Sequence, residues 1–128
     1  MFDKERFKSL CAERETVDIY LEWEADRILR ELLAIICKDK ESFYEFIEYM
    51  KSEMIEAEYS TLSEISDEIA YEYPSFAFIE AYKMLAEKYP EETKKYYIAD
   101  FIRDAERSVK CSMEEGRKMY WEVGDKFT

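Results

Sequence analysis

Apolar residues recur along this chain at helical spacing, and the breaks between the runs are legible. The clearest run holds Phe43, Phe46, Ile47, Met50 and Met54, at i, i+3, i+4, i+7 and i+11. Leu62, Ile65, Ile69 and Tyr73 repeat the pattern. So do Ile98, Phe101, Ala105 and Val109, with Ile102 beside them. An earlier stretch places Val17, Leu21, Ile28, Leu32 and Ile35 or Ile36 on one face. Each run has a start signal. Asp3 caps a helix over about 4–14, and Thr16 one over about 17–38, with Asp18 in its first turn. Ser42 with Glu45, and Thr61 with Glu64, read as capping boxes for helices at about 43–58 and 62–73. Pro74 ends the fourth helix and Ser75 caps a fifth over about 76–88. Pro90, Glu91 and Glu92 open a sixth, which runs to about Glu115 before Gly116 takes a left-handed cap. Residues 117–123 add one or two turns.

The expected fold is therefore all-α: residues 1–128 as one domain, a single compact bundle of five to six mostly antiparallel helices. Composition agrees. Two Gly, two Pro and no Asn leave little material for the turns that sheets require. A hydrophobic content of 48% separates the chain from a disordered acidic tail. "SFYEFIEYMK" and "SFAFIEAYKM" echo one another, as two copies of one amphipathic pattern rather than as a repeat array.

Chemistry is bounded mainly by what is missing. There is no histidine, so Ser-His and Cys-His nucleophile systems are excluded, and zinc and copper sites lose their commonest ligand. Di-iron bundle chemistry loses its Glu-x-x-His motif for the same reason. Cys11, Cys37 and Cys111 are odd in number and widely spaced, which reads as reduced thiols rather than a disulfide framework. The longest apolar run, Leu32 to Cys37, is too short to span a bilayer, and the charged N-terminus has no signal-peptide core. The expectation is a soluble cytoplasmic protein with no cofactor.

Charge then changes the picture. The net charge is −12, and residues 41–73 carry ten carboxylates against one cation, Lys51. On the predicted fourth helix Glu64, Glu68 and Glu72 recur every four residues, with Asp67 and Tyr71 beside them. Rows of like charge at i, i+4 repel. Such a chain repels nucleic-acid phosphates and anionic membranes. It suits a basic protein instead, and tyrosine among carboxylates supplies contact area with a hydroxyl. The predicted partner-binding surface is Glu56, Tyr59, Glu64, Asp67, Glu68, Tyr71 and Glu72. No residue is assigned a catalytic role. The expected function is that of an acidic, non-enzymatic binding or inhibitor protein, of the immunity or anti-defence kind, docking on a basic and nucleic-acid-handling protein.

Two alternatives stay open. Glu53-x-x-Glu56 and Glu64-x-x-Asp67 each place two carboxylates one turn apart. This resembles the all-α nucleoside-triphosphate pyrophosphohydrolases of the MazG type, whose signature is E-E-x-x-E followed by E-x-x-D. "EISD" fits the second half. Ser52 stands where the first half has its leading Glu, and the gap between the halves is short. The resemblance implies Mg²⁺ held by Glu53, Glu56, Glu64 and Asp67. The second alternative is a structural helical domain that forms a homodimer. A further outlet for the acidic face is internal: Arg103, Arg107 and Lys110 form a basic edge at i, i+4, i+7 on the sixth helix.

Overall fold

A computed structural model describes residues 1–17 and 21–116. They are helical throughout, with no strand among them: α1 (Lys4–Thr16), α2 (Glu22–Ile36), α3 (Lys40–Ser52), α4 (Glu56–Ser63), α5 (Ser66–Glu72), α6 (Phe76–Lys88), α7 (Pro90–Lys95) and α8 (Ile98–Glu114). The all-α expectation holds, but the described residues form eight helices, not five or six. None of these helices is long and apolar enough to cross a membrane.

The two extra helices have identifiable causes. The predicted 62–73 helix does not form as one unit, and its Thr61–Glu64 capping box is not used. Hydroxyls there bond back along their own helix instead: Ser60 to the Glu56 carbonyl, Thr61 to Ala57 and Ser63 to Ser60. Such back-bonding bends helices. At the bend the N–H groups of Glu64 and Ile65 reach only three residues back, to Thr61 and Leu62. The result is two short helices, α4 and α5, broken at Glu64–Ile65. The predicted sixth helix splits at Tyr96–Tyr97, where Tyr97 takes a left-handed conformation (φ 55°) and Ile98 enters the core fully buried.

Other boundaries shift for electrostatic reasons. Asp39, not Ser42, caps α3, its carboxylate accepting from the Ser42 N–H at 2.7 Å. A charged acceptor outcompetes a hydroxyl at this position, and Ser42 is itself buried. The second partner of that predicted box, Glu45, accepts from the Phe2 N–H at 2.6 Å. α3 ends at Ser52, six residues early, because the Tyr49 carbonyl accepts from both Glu53 and Met54 and the chain turns to bury Met54. Thr16 closes α1 rather than capping α2, its hydroxyl donating to the Glu13 carbonyl. Asp18 and the predicted turns at 117–123 fall outside the described residues. Asp3, Ser75 and Gly116 act as read, with Asp3 and Ser75 as N-caps and Gly116 left-handed at φ 78°.

The apolar stripes meet in one core. All five predicted α3 positions are buried, as are Ile28, Leu32, Ile36, Leu62, Ile65, Ile69, Ile98, Ile102, Ala105 and Val109. Val17 and Tyr73 pack against this core partly buried, and Leu21 and Phe101 stay exposed. α1 packs on α2 and α4, α3 on α2 and α6, and α8 on α5, α6 and α7. Phe2, Phe7, Phe46 and Tyr49 form an aromatic cluster with ring centroids 5.3–5.5 Å apart.

Tyrosine hydroxyls join the helices. Tyr49 donates to the Glu58 carboxylate at 2.6 Å, Tyr82 to the Ser66 hydroxyl at 3.1 Å, Tyr89 to the Met54 carbonyl at 2.9 Å and Tyr73 to the Cys37 carbonyl at 3.1 Å. Tyr59 and Thr93 share a hydrogen bond of 2.6 Å. Each lets a large apolar body sit inside with its polar end satisfied.

Candidate functional site

The break at Glu64–Ile65 divides the predicted surface into parts with different surroundings. Tyr59 is the clearest correction: it is fully buried, with its ring beside Tyr82 and Tyr89, and belongs to the core. Tyr49, also among the acidic residues of this segment, is buried too. Its phenol pKa is raised, first by burial and then by the Glu58 carboxylate that accepts its hydrogen bond.

Glu64 sits in the turn, off α5, and is taken up by Arg14 of α1 at 2.7 Å. The expected row Glu64–Glu68–Glu72 is therefore shortened to Glu68–Glu72. Glu56, in the first turn of α4, is exposed beside a groove of about 810 Å³ whose charges are mixed: Arg14 and Lys95 face Glu15 and Glu92 there. Ser60 donates to Glu92 across it.

Asp67, Glu68, Tyr71 and Glu72 remain together on α5. The helix is only seven residues long, yet its two faces are distinct. Ser66, Ile69 and Ala70 turn inward and are buried. The four others line a groove of about 600 Å³ with Leu33 and Ala34 of α2 and Cys37 at its C-cap. Tyr71 is 61% exposed. No ion pair forms between Asp67, Glu68 or Glu72 and a cation among the described residues. The pKa of Asp67 is raised, first by burial and then by the neighbouring Asp104 and Glu68 carboxylates. Burial and Glu72 push the Cys37 thiol up to about 12. Both shifts describe a negative, partly dehydrated strip.

The basic edge of α8 does not neutralise it. Arg103 pairs with Asp100 at 3.4 Å and Arg107 with Asp104 at 4.0 Å, one turn back on their own helix. Lys110 acts on Glu106, which Lys83 bridges at 2.8 Å. Cations that do reach the acidic segment from elsewhere come from the N-terminal stretch: the Met1 ammonium to Glu41 at 3.9 Å, and from α1 Lys4 to Glu53 at 2.7 Å, Lys8 to Glu58 at 3.8 Å, and Arg14 to Glu64. The spacing of Lys4 and Lys8, one turn apart on α1, was the sequence signal for this role. Glu58, buried to 3% exposure and bonded by Tyr49 and the Ile55 N–H, was hidden among the other glutamates.

The same geometry bears on the predicted metal ligands. Glu53 and Glu64 point to different cations of α1, and Glu56 and Asp67 lie on different helices. Among the described residues no three Asp, Glu or Cys side chains converge as a metal site would need. No protein-family model matches the chain, no curated protein is found similar to it, and no solved structure matches its fold.

Proposed function

We propose that the chain is an acidic, non-enzymatic binding protein that docks on a basic protein in the cytoplasm through the outer face of α5. The reading is supported by one observation above others. Asp67, Glu68 and Glu72 stand together beside exposed Tyr71, and no cation of the described residues pairs with them. Helix formation gains nothing from that row, whereas a cationic surface is steered toward it and held by it. A nucleic-acid-handling enzyme is the natural class of target, because its own binding surface must be basic, and inhibitors of the immunity or anti-defence kind act in this way. The surface proposed is Asp67, Glu68, Tyr71 and Glu72, with Glu56 at its margin.

The test is a pull-down with the full chain at low and then high salt. A partner captured through this face is released by salt and is lost by Asp67→Asn/Glu68→Gln/Glu72→Gln, with helicity unchanged. Capture that survives both salt and the triple substitution would rule this surface out. The pyrophosphohydrolase alternative expects Mg²⁺ or Mn²⁺ binding by calorimetry and a raised melting temperature. The dimer alternative expects a concentration-dependent mass.

A further inference from the structure

The α2–α5 groove is more than an acidic face, because its floor is apolar. Leu33 and Ala34 from the last turns of α2, and Cys37 at its C-cap, lie between the two helices. Asp67, Glu68 and Glu72 form the rim on the α5 side. α2 packs on α1 and α3, and α5 on α4 and α8, so the two helices stand as walls of an open groove. We infer that this groove seats a lysine- or arginine-bearing amphipathic helix of a partner protein. One apolar side chain rests on Leu33, Ala34 and Cys37, and basic side chains meet Asp67, Glu68 and Glu72.

This inference rests on the docking reading above and specifies what is recognised. Charge complementarity selects a cationic occupant: three carboxylates rim the groove, and no Lys or Arg of the described residues lines it. The floor selects against a purely polar cation such as a polyamine, which would leave it uncovered. A neutral apolar ligand would dehydrate the rim without pairing it. An amphipathic helix satisfies both, since its anchors fall at i, i+3 and i+4. Its spacing of about 6 Å per four residues matches that of Glu68 and Glu72.

The test uses the full chain and synthetic probes. One peptide of about three helical turns carries leucines at i and i+4 among lysines. A second has the same charge with those leucines replaced by serine, and spermine is the third probe. Fluorescence anisotropy at low salt should show the leucine peptide binding at least about tenfold more tightly than the serine peptide, and more tightly than spermine. Ala34→Lys, at an exposed helical position, should abolish the difference. On the unmodified chain the leucine peptide should slow alkylation of Cys37 while exposed Cys111 reacts as before. Equal binding of the two peptides, or an unprotected Cys37, would overturn the inference. If Glu68→Gln/Glu72→Gln still weakens binding in that case, the acidic docking face survives and only the groove is wrong. If that variant also binds unchanged, both fall.

Discussion

Removing the Tyr49 hydroxyl should destabilise the fold by an amount the structure lets one work out. Tyr49 is 1% exposed and donates at 2.6 Å to a carboxylate that is itself buried. In Tyr49→Phe the ring contacts with Phe2 and Phe7 remain, and only the hydrogen bond goes. Hydrogen bonds to charged groups contribute about 1.5–3 kcal/mol, and a separation of 2.6 Å lies at the strong end for a phenol on a carboxylate. Little compensates for its loss. The Ile55 N–H is already bonded to the same Glu58 oxygen at 3.3 Å, and Lys8 stands 3.8 Å off on the surface. The expected loss is about 2 kcal/mol. For 128 residues the entropy of unfolding is about 0.27 kcal/mol/K, so the melting temperature should fall by about 7 °C. Urea denaturation of Tyr49→Phe, Glu58→Ala and the double variant isolates the pair. A coupling energy above about 1.5 kcal/mol is expected. A coupling below about 0.5 kcal/mol would refute the reasoning, since Glu58 would then be satisfied without Tyr49.

Alkaline pH should destabilise the chain from pH 9 upward. Burial, aided by Glu58 and Glu15 for Cys11 and by Glu72 for Cys37, moves both thiols from 9.0 to about 12 in the fold. The unfolded chain releases these protons first, so stability is full below pH 9 and falls by up to about 1.4 kcal/mol per pH unit for each thiol between 9 and 12. Urea midpoints at several pH values should show a shallower slope in Cys11→Ala, and an unchanged slope would contradict the assignment. Tyr97 holds a left-handed backbone while 74% exposed. Tyr97→Gly should therefore keep or raise the melting temperature, and Tyr97→Val should lower it by the equivalent of about 1 kcal/mol or more. Phe46→Ala, fully buried in the aromatic cluster against Phe2 and Phe7, should cost about 3–5 kcal/mol by denaturant titration. A loss under about 1 kcal/mol there would mean the cluster is loosely packed.

The inward faces were legible because periodicity is a property of local sequence. Phe43 to Met54 and Ile98 to Val109 announce which side is buried. Where helices stop was less legible, because the stops depend on competition. Thr61 and Glu64 have the spacing of a capping box, but Thr61 finds the Ala57 carbonyl and Glu64 finds Arg14, a residue 50 positions away. Nothing within a window of ten residues records that choice. The same holds for the site. The cluster on α5 could be seen in the sequence, whereas the burial of Tyr59 depends on Thr93, 34 positions on. The apolar floor supplied by α2 exists only once α2 and α5 are brought side by side.

α5 alternates its duties with the turn of the helix. Ser66, Ile69 and Ala70 anchor it inward, the first by accepting from Tyr82. Asp67, Glu68 and Glu72 face the groove instead, and no cation among the described residues pairs with them. If the proposed docking reading holds, fold and recognition are written in separate letters of one seven-residue word. On the proposed docking reading, the three carboxylate positions can be rewritten together, in a combinatorial library or by natural drift, to follow a partner that changes, while Ser66, Ile69 and Ala70 keep the helix anchored.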